Sequence, residues 1–406
     1  MCGHIAVIIP THNRLRRLKA CIESLLVSNF PKSDYSIYVV DDGSNDGTGN
    51  YLRKKCSEFS NIHMIATPHS GPAKARNEAV KQSSGDLVAF TDDDCSVDKD
   101  WLSELARLFK NPSIECVGGK VLSANSCLIS KYMDHVCALD PPIDQSGRVR
   151  YIVTANACIR RDILEMLGGF NEGFPMAGGE DVELSLRYRS TGSGDIIYSP
   201  TCRVYHYYED SCKDFLRRYY RYGIGCRIGF NHTKNQELWF SNAAGELKRW
   251  LMGDIDLRDF VEINGSNNQV WFSLLYQFQR MMLYAGYLHL RTEEQLDQIL
   301  ANDYPWPLKL STPETKFERK PDKAKTSTII KKLETGNMFV PVCTEDYETR
   351  AAIKWWLSQL NYFHHPRNIE NLVKSVVSIL DLNSLLEMSF NHKYLPLEPS
   401  SPDRDL

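Results

Sequence analysis

Along the first 120 residues, short runs that are largely apolar alternate with stretches whose apolar positions recur every three or four residues. Ile5-Ala6-Val7-Ile8-Ile9, Tyr35 to Val40, Ile62 to Ala66 and Leu87-Val88-Ala89-Phe90 have the length and composition of strands, and the all-apolar ones read as buried on both faces. Between them lie helical patterns. Leu15, Leu18, Cys21, Ile22, Leu25 and Leu26 form one apolar stripe. Thr48 to Cys56 follows, then Ala73 to Gln82, opened by Gly71-Pro72 with the proline in the first turn where its missing N–H costs nothing, and Asp100 to Phe109. Alternation of this kind predicts an α/β fold: a mostly parallel, Rossmann-like sheet with right-handed crossovers and helices on both faces.

The pattern continues with a strand at Ile114 to Gly119, then loosens from Lys120 to Arg150, where Pro141-Pro142 interrupts it. Tyr151 to Ile159 reads as a strand and Arg161 to Leu167 as a helix stopped by Gly168-Gly169. The glycine-rich stretch Phe170 to Gly179 leads into Glu180-Asp181 and a helix over Val182 to Ser190. A strand pair, Ile196 to Tyr198 and Arg203 to Tyr205, ends at His206, and a basic, aromatic helix bearing Lys213, Arg217, Arg218 and Arg221 runs on toward Gly229. Beyond Asn231 only helical patterns remain. Val270 to Leu290 carries Leu274, Phe278, Met281, Ala285 and Leu288, and Thr292 to Gln295 is a capping box. Ser311 to Lys325 has linker composition, and Thr349 to Leu360 and Asn368 to Met388 precede a Pro/Ser/Asp tail expected to fray. The expected organisation is an α/β catalytic domain over 1–230, a helical extension over 231–310, a linker over 311–335 and a C-terminal helical region over 336–406.

Composition narrows the classes of function. A net charge of -3 gives no basic footprint for nucleic acid. Twelve cysteines are scattered without a Cys-x-x-Cys pair, which argues against a zinc ribbon or redox dithiol and for reduced thiols in a cytoplasmic setting. The first strand begins almost at the first Met, so no signal peptide is expected. Val270 to Leu290, broken by Gln277, Gln279 and Arg280, fails as a membrane span. It is left as core, a dimer interface, part of an acceptor groove or a peripheral membrane contact, and the oligomeric state stays open.

The chemistry gathers where predicted strands end. Leu87 to Phe90 stops on Asp92-Asp93-Asp94, and three adjacent carboxylates repel one another unless a cation or hydrogen-bond donors offset them. A divalent ion held by one or two of them together with substrate phosphates meets that need, as does an acidic turn capping the next helix. Pro10 to Arg14, Asp41 to Gly47 and Gly71 to Asn77 also sit at carboxyl ends of strands, where open α/β sheets bind ligands.

Pro10-Thr11-His12-Asn13-Arg14, Asp41-Asp42-Gly43-Ser44, Ala75-Arg76-Asn77, Asp92-Asp93-Asp94 and Gly179-Glu180-Asp181 stand in the order found in GT-A glycosyltransferases of family 2. The stretch from Ile5 to Gly229 resembles an inverting, metal-dependent enzyme of that group. The resemblance implies a UDP-sugar donor, with Asp42 on the uracil and Pro10, Thr11 and Asn13 lining base and ribose. Arg76 would approach the base or the phosphates, Asp92 would face ribose or sugar, and Asp94 would hold Mn2+ or Mg2+. His206 would be a further metal ligand, and a nitrogen donor among oxygens tilts the choice toward manganese. Asp93, on the opposite pleat, would bond backbone amides. Asn156 would contact sugar hydroxyls, and the pair Glu180-Asp181 would supply the base, Asp181, with Gly178-Gly179 bending the chain before it. Arg217, Arg218 and Arg221 would meet the donor diphosphate or an anionic acceptor. Plainer accounts stand beside these: an Asx turn for Asp42, a helix cap for Thr11, Asn13 or Asp181, and a solvated face for Arg76, Arg217, Arg218 and Arg221. The acceptor is not readable. A nucleotidyltransferase acting on sugar phosphates, or a non-catalytic nucleotide-sugar binding module, remains the alternative.

Overall fold

The computed structural model describes residues 3–143, 149–192, 194–209, 211–233 and eight positions between 275 and 287. Those eight positions are helical, where Val270 to Leu290 predicts a helix. The other expectations for 231–406, the linker and the helices at Thr349 to Leu360 and Asn368 to Met388 among them, lie outside the described residues. No helix among the described residues is long and apolar enough to cross a membrane.

The elements run β1 (Ile5–Thr11), α1 (Leu15–Leu26), β2 (Tyr35–Asp42), α2 (Thr48–Glu58), β3 (Ile62–Thr67), α3 (Pro72–Gln82), β4 (Leu87–Phe90), β5 (Cys95–Val97), α4 (Trp101–Leu108), β6 (Cys116–Ser123), α5 (Leu128–His135), β7 (Ala157–Arg160), α6 (Arg161–Met166), α7 (Glu180–Ser190), β8 (Ile196–His206) and α8 (Cys212–Thr233). They form one eight-stranded sheet in the order β3-β2-β1-β4-β7-β6-β8-β5. β3, β2, β1 and β4 pair parallel, and β6 pairs parallel with β8, while β7 and β5 run against their neighbours. The α/β, mostly parallel reading holds. Ile5 to Ile9 and Val88 to Phe90 are fully buried, and α1 lays Leu18, Cys21, Ile22 and Leu25 into the core. Each such aliphatic side chain contributes about 1.5–3 kcal/mol on burial.

The strand order places the site. From β1 the chain crosses by α1 to β2 and then to β3, on one side; α3 then carries it back past β1 to β4, on the other. The carboxyl ends of β1 and β4 therefore splay around a topological switch point, the place where a sheet of this kind opens a crevice. β1 pairs with β4 only as far as Ile8↔Phe90, so Pro10 lies where one edge of β1 is open and a missing N–H is tolerated.

Four local expectations are corrected. Tyr151 to Ile159 is not a continuous strand: Thr154 to Asn156 coil into a 3-10 turn and β7 begins at Ala157. The strand pair around Pro200 is a single strand, β8, whose register against β6 jumps from Gly119↔Ser199 to Lys120↔Arg203, so that a bulge takes up Pro200, Thr201 and Cys202. The loosened stretch contains α5, which buries Ile129, Tyr132 and Met133 at helical spacing and is capped by the Cys127 sulfur accepting from Ser130 N. A short strand, β5, follows the acidic triplet, where only a loop was expected.

Candidate active site

The acidic triplet diverges as β4 ends, and each carboxylate meets a different partner. Asp93 is buried, accepting from the Thr11 hydroxyl (2.7 Å) and from Arg14 Nη1 (3.2 Å). Its partners are therefore side chains of the β1–α1 loop, not the backbone amides expected for it. Asp94 Oδ2 accepts from the same Arg14 Nη1 at 2.7 Å. Burial pushes the Asp93 carboxyl up to about 7, against the pull of Arg14 and with a further push from Asp94. Asp94 goes the other way: despite burial, the positive charge of His206 when protonated, then of Arg14 and Arg218, holds it below the ordinary carboxylate range. The two neighbouring acids are thus driven apart, Asp93 toward the protonated form and Asp94 toward the ionised one.

His206 arrives through β5. The pairing Cys95↔His206 and the hydrogen bond from Tyr207 N to Asp94 O (2.8 Å) lock the end of β8 beside the triplet. His206 Nε2 lies 3.2 Å from Asp94 Oδ1, yet Asp94 Oδ1 has no hydrogen-bond partner, and neither does His206 Nδ1, although both atoms are buried. Burial also lowers the His206 pKa, partly offset by Asp94, which favours the neutral imidazole that ligates metals. Two ligands at right angles on an ion with ~2.1 Å bonds stand about 3 Å apart. The pair has the spacing, charge and unmet valence for a divalent cation. The Cys95 sulfur lies within 4.8 Å of both ligand atoms, though burial holds its thiol well above the ordinary pKa.

On the other side of the crevice Arg76 is buried and pinned. Its Nη2 donates to Asp92 Oδ1 and its Nη1 to Glu180 Oε1, both at 2.9 Å, and its guanidinium lies 5.6 Å from the Phe170 ring centre. Both terminal nitrogens are thus engaged by carboxylates, and a solvated face is ruled out for this residue. Glu180 Oε2 accepts from Gly178 N (2.7 Å). Gly178 (φ 134°) and Gly179 (φ 101°) adopt positive φ, which glycine takes readily, and turn the chain into α7. They are held against α8, where a Cβ on Gly225 would fall 1.7 Å from Gly178 O. Asp181 follows in the first turn of α7, accepting from Val182 N (2.8 Å) and Thr154 N (3.4 Å). Burial first, then the Glu180 charge, push its carboxyl up to about 7, with Arg76 pulling the other way.

Three further site residues turn out differently employed. Asp42 accepts from Thr67 Oγ1, Ser70 N, Ser70 Oγ and Gly71 N at 2.8–3.1 Å. Its carboxylate is saturated by the β3–α3 loop, leaving no lone pair suited to a uracil N–H. The turn is held instead by Asp41, which accepts from Ser44 N three residues on (3.0 Å). Asn13 (φ 53°) caps no helix: its N donates to Ser44 Oγ (2.9 Å) and its Oδ1 accepts from Asn45 N (2.8 Å), buttoning two rim loops together. Asn156 is buried, its Oδ1 accepting from Trp101 Nε1 (2.8 Å) and its Nδ2 donating to Lys120 O and Cys202 O (both 2.9 Å). It pins the β8 bulge and has nothing left for a sugar hydroxyl. Asn156→Ala should therefore lower unfolding free energy by about 3 kcal/mol in denaturant titration, because buried donors and acceptors lose their partners. A donor KM effect at unchanged stability would return Asn156 to the sugar.

Arg14, His12 and His69 escaped the sequence reading as site residues, and Arg218, expected on a solvated face, is buried. Arg14 faces the acids from the β1–α1 loop. Arg218 of α8 is buried, with Nε donating to Glu209 Oε1 (2.8 Å) and Nη1 to Tyr222 OH (3.1 Å). The rings of His12 and His69 stack at 4.1 Å, and each Nδ1 approaches Asp42 O, at 2.7 and 3.3 Å. For Arg14 a signal existed: one cation in the loop that a parallel sheet sets beside three acids.

Carboxylates converging at the switch point of an open α/β sheet mark the place where enzymes of this architecture hold their ligands. Residues 6–168 match the family described as "Glycosyl transferase family 2". Glycosyltransferase AglE of Haloferax volcanii is 28% identical over 229 residues, covering 54% of this chain and 72% of that protein. A pre-mycofactocin glycosyltransferase of Mycobacterium tuberculosis is 28% identical over 263 residues, covering 62% of this chain and 53% of its own length. The chain thus spans about half the length of that second relative. A solved mannosyltransferase from Pyrobaculum calidifontis overlays with a TM-score of 0.46 at 15% identity, covering 95% of this chain and 88% of that one, too distant for its site to be carried over.

Proposed function

We propose that the chain transfers a sugar from a nucleotide-sugar, in first place a UDP-sugar, to an acceptor nucleophile with inversion at the anomeric carbon. The observation that carries this reading is a division of labour across one crevice. Asp94 and His206 offer a cation-ready pair with unmet valence, and Asp181 offers a carboxylate whose proton affinity lies near neutrality. A general base works best when its pKa lies near the working pH. Both named relatives are glycosyltransferases.

In this mechanism Asp181 accepts the proton of the acceptor nucleophile as the nucleophile bonds to the anomeric carbon. The bond from that carbon to the phosphate oxygen breaks on the opposite face, and the nucleoside diphosphate leaves with the electron pair. Arg76, clamped between Asp92 and Glu180, fixes the loop bearing Asp181 relative to the end of β4. A divalent cation, Mn2+ or Mg2+, held by Asp94 and His206 would neutralise charge on the departing diphosphate. The stacked rings of His12 and His69 offer a flat surface for a nucleobase, a task the saturated Asp42 does not perform by its carboxylate.

The test is UDP release. The full chain with Mn2+ and a panel of UDP-sugars should release UDP slowly by hydrolysis and faster once a suitable acceptor is supplied. Pyrophosphate release from UTP and a sugar phosphate would replace this reading with nucleotidyl transfer, and metal-dependent UDP binding without any turnover would replace it with a binding module.

A further inference from the structure

The geometry points to Arg14 as the residue that couples metal and donor: it damps cation binding at Asp94 in the free protein and turns its open face to the incoming diphosphate. This deepens the proposed function and rests on it.

The observations concern where Arg14 spends its hydrogen bonds and where it does not. A single nitrogen, Nη1, reaches both Asp93 (3.2 Å) and Asp94 (2.7 Å), so one guanidinium answers two carboxylates. Nε and Nη2 have no hydrogen-bond partner among the described residues, and 45% of the side chain is exposed, against 6% and 11% for the two acids. A buried structural arginine distributes its donors over protein acceptors, as Arg160 does on Ile114 O, Phe109 O and Asn111 O. Arg14 instead keeps Nε and Nη2 uncommitted beside the switch point. A guanidinium fork is suited to phosphate oxygens.

The consequence for the cation is electrostatic. Asp94 Oδ1 is unmet and faces His206, whereas Oδ2 is already taken by a positive charge. A divalent ion arriving at Oδ1 meets that charge a few ångströms away, so it binds the empty protein weakly. A diphosphate contributes negative charge to both cations at once and removes the penalty. Metal and nucleotide then bind as a linked pair, and linkage of this kind is reciprocal. Arg218 also lends positive charge to Asp94 and His206, but its Nε and Nη2 are committed to Glu209 and its Nη1 to Tyr222, and Arg217 reaches Asp214 (3.1 Å), so neither offers the hydrogen bond that Arg14 makes to Asp94.

The experiment measures Mn2+ affinity of the full chain by calorimetry, with and without UDP, in the parent, Arg14→Met and Arg14→Lys. The parent should bind Mn2+ at least tenfold more tightly with UDP present. Arg14→Met, which keeps the aliphatic stem, should bind Mn2+ alone about tenfold more tightly than the parent, and its UDP enhancement should shrink to under about threefold. Arg14→Lys, with the charge restored, should recover the weak Mn2+ affinity of the parent. Unchanged affinity and unchanged enhancement in Arg14→Met would overturn the role of Arg14 while leaving the metal–nucleotide site standing. No enhancement in the parent would remove both. A thermal melt of each variant within a few degrees of the parent shows that the comparison is between folded proteins.

Discussion

Asp181→Asn should lower sugar transfer by about a thousandfold, within the range general bases supply, while Mn2+ and UDP affinities stay within about twofold of the parent. The substitution removes the proton acceptor but keeps the shape, and it leaves Asp94, His206 and Arg14 untouched. Asparagine can still accept one backbone N–H through its carbonyl, so the turn of α7 has a reason to persist. The pH profile separates a base from a structural acid. Burial and Glu180 raise Asp181 from the ordinary carboxylate value to about 7, so below that pH the folded protein holds a proton there. Transfer requires the ionised form. The rate should therefore climb about tenfold per pH unit below 7 and level off above it, and Asp181→Asn should flatten that limb.

Stability runs in the opposite sense for the same group. A carboxyl whose folded pKa lies above its unfolded value binds its proton more tightly when folded. Its contribution therefore favours the folded state at low pH and is lost as pH rises from about 4 to about 7. Asp93, also raised to about 7, acts in the same direction. Asp181→Asn should make the fall of unfolding free energy across this window shallower than in the parent. A carboxylate held ionised by an ion pair, with its folded pKa depressed, would show the reverse, a stability gain on ionisation. A variant retaining both the parent rate and its pH limb would strip Asp181 of the role.

How far the sequence could be read depended on which interactions it encodes locally. β1, β2 and β4 were legible because burial on both faces demands largely uninterrupted apolar side chains. The turn at Thr154 to Asn156 was not, because what stabilises it is Asn156 reaching Trp101, Lys120 and Cys202, all distant in sequence. β8 looked like two strands since Pro200 interrupts the alternation, and only the register against β6 shows the bulge. α5 carried its signal openly in Ile129, Tyr132 and Met133, masked by the prolines that follow. Within the site the motifs located the right loops, yet not the division of roles along them. Asp41 and Asp42 are adjacent, and nothing local says that the second is consumed by Ser70 and Gly71. Arg76 could be placed at the rim by spacing, but its clamp joins α3 to α7 across 104 positions of chain.

Asp94→Asn should abolish metal-dependent donor binding and cost transfer about a thousandfold, by a route distinct from that of Asp181. Cation assistance to a leaving diphosphate supplies several kcal/mol, and each 1.36 kcal/mol is tenfold in rate. The variant loses the charge that draws the ion but keeps an oxygen near His206, and Asp93 remains as a partner for Arg14. The fold should therefore survive, and the deficit should appear in UDP affinity measured with Mn2+. In the parent, chelator should weaken UDP binding; in Asp94→Asn, UDP should bind as weakly with Mn2+ as the parent does with chelator. Asp181→Asn, by contrast, should keep the full chelator response and lose only turnover. His206→Gln offers the complementary check: it removes the nitrogen ligand and leaves Asp94 ionised against Arg14, so metal affinity should fall less than in Asp94→Asn. Equal UDP affinity with and without chelator in the parent, together with unimpaired transfer by Asp94→Asn, would show that the acids at the end of β4 serve the fold and not a cation.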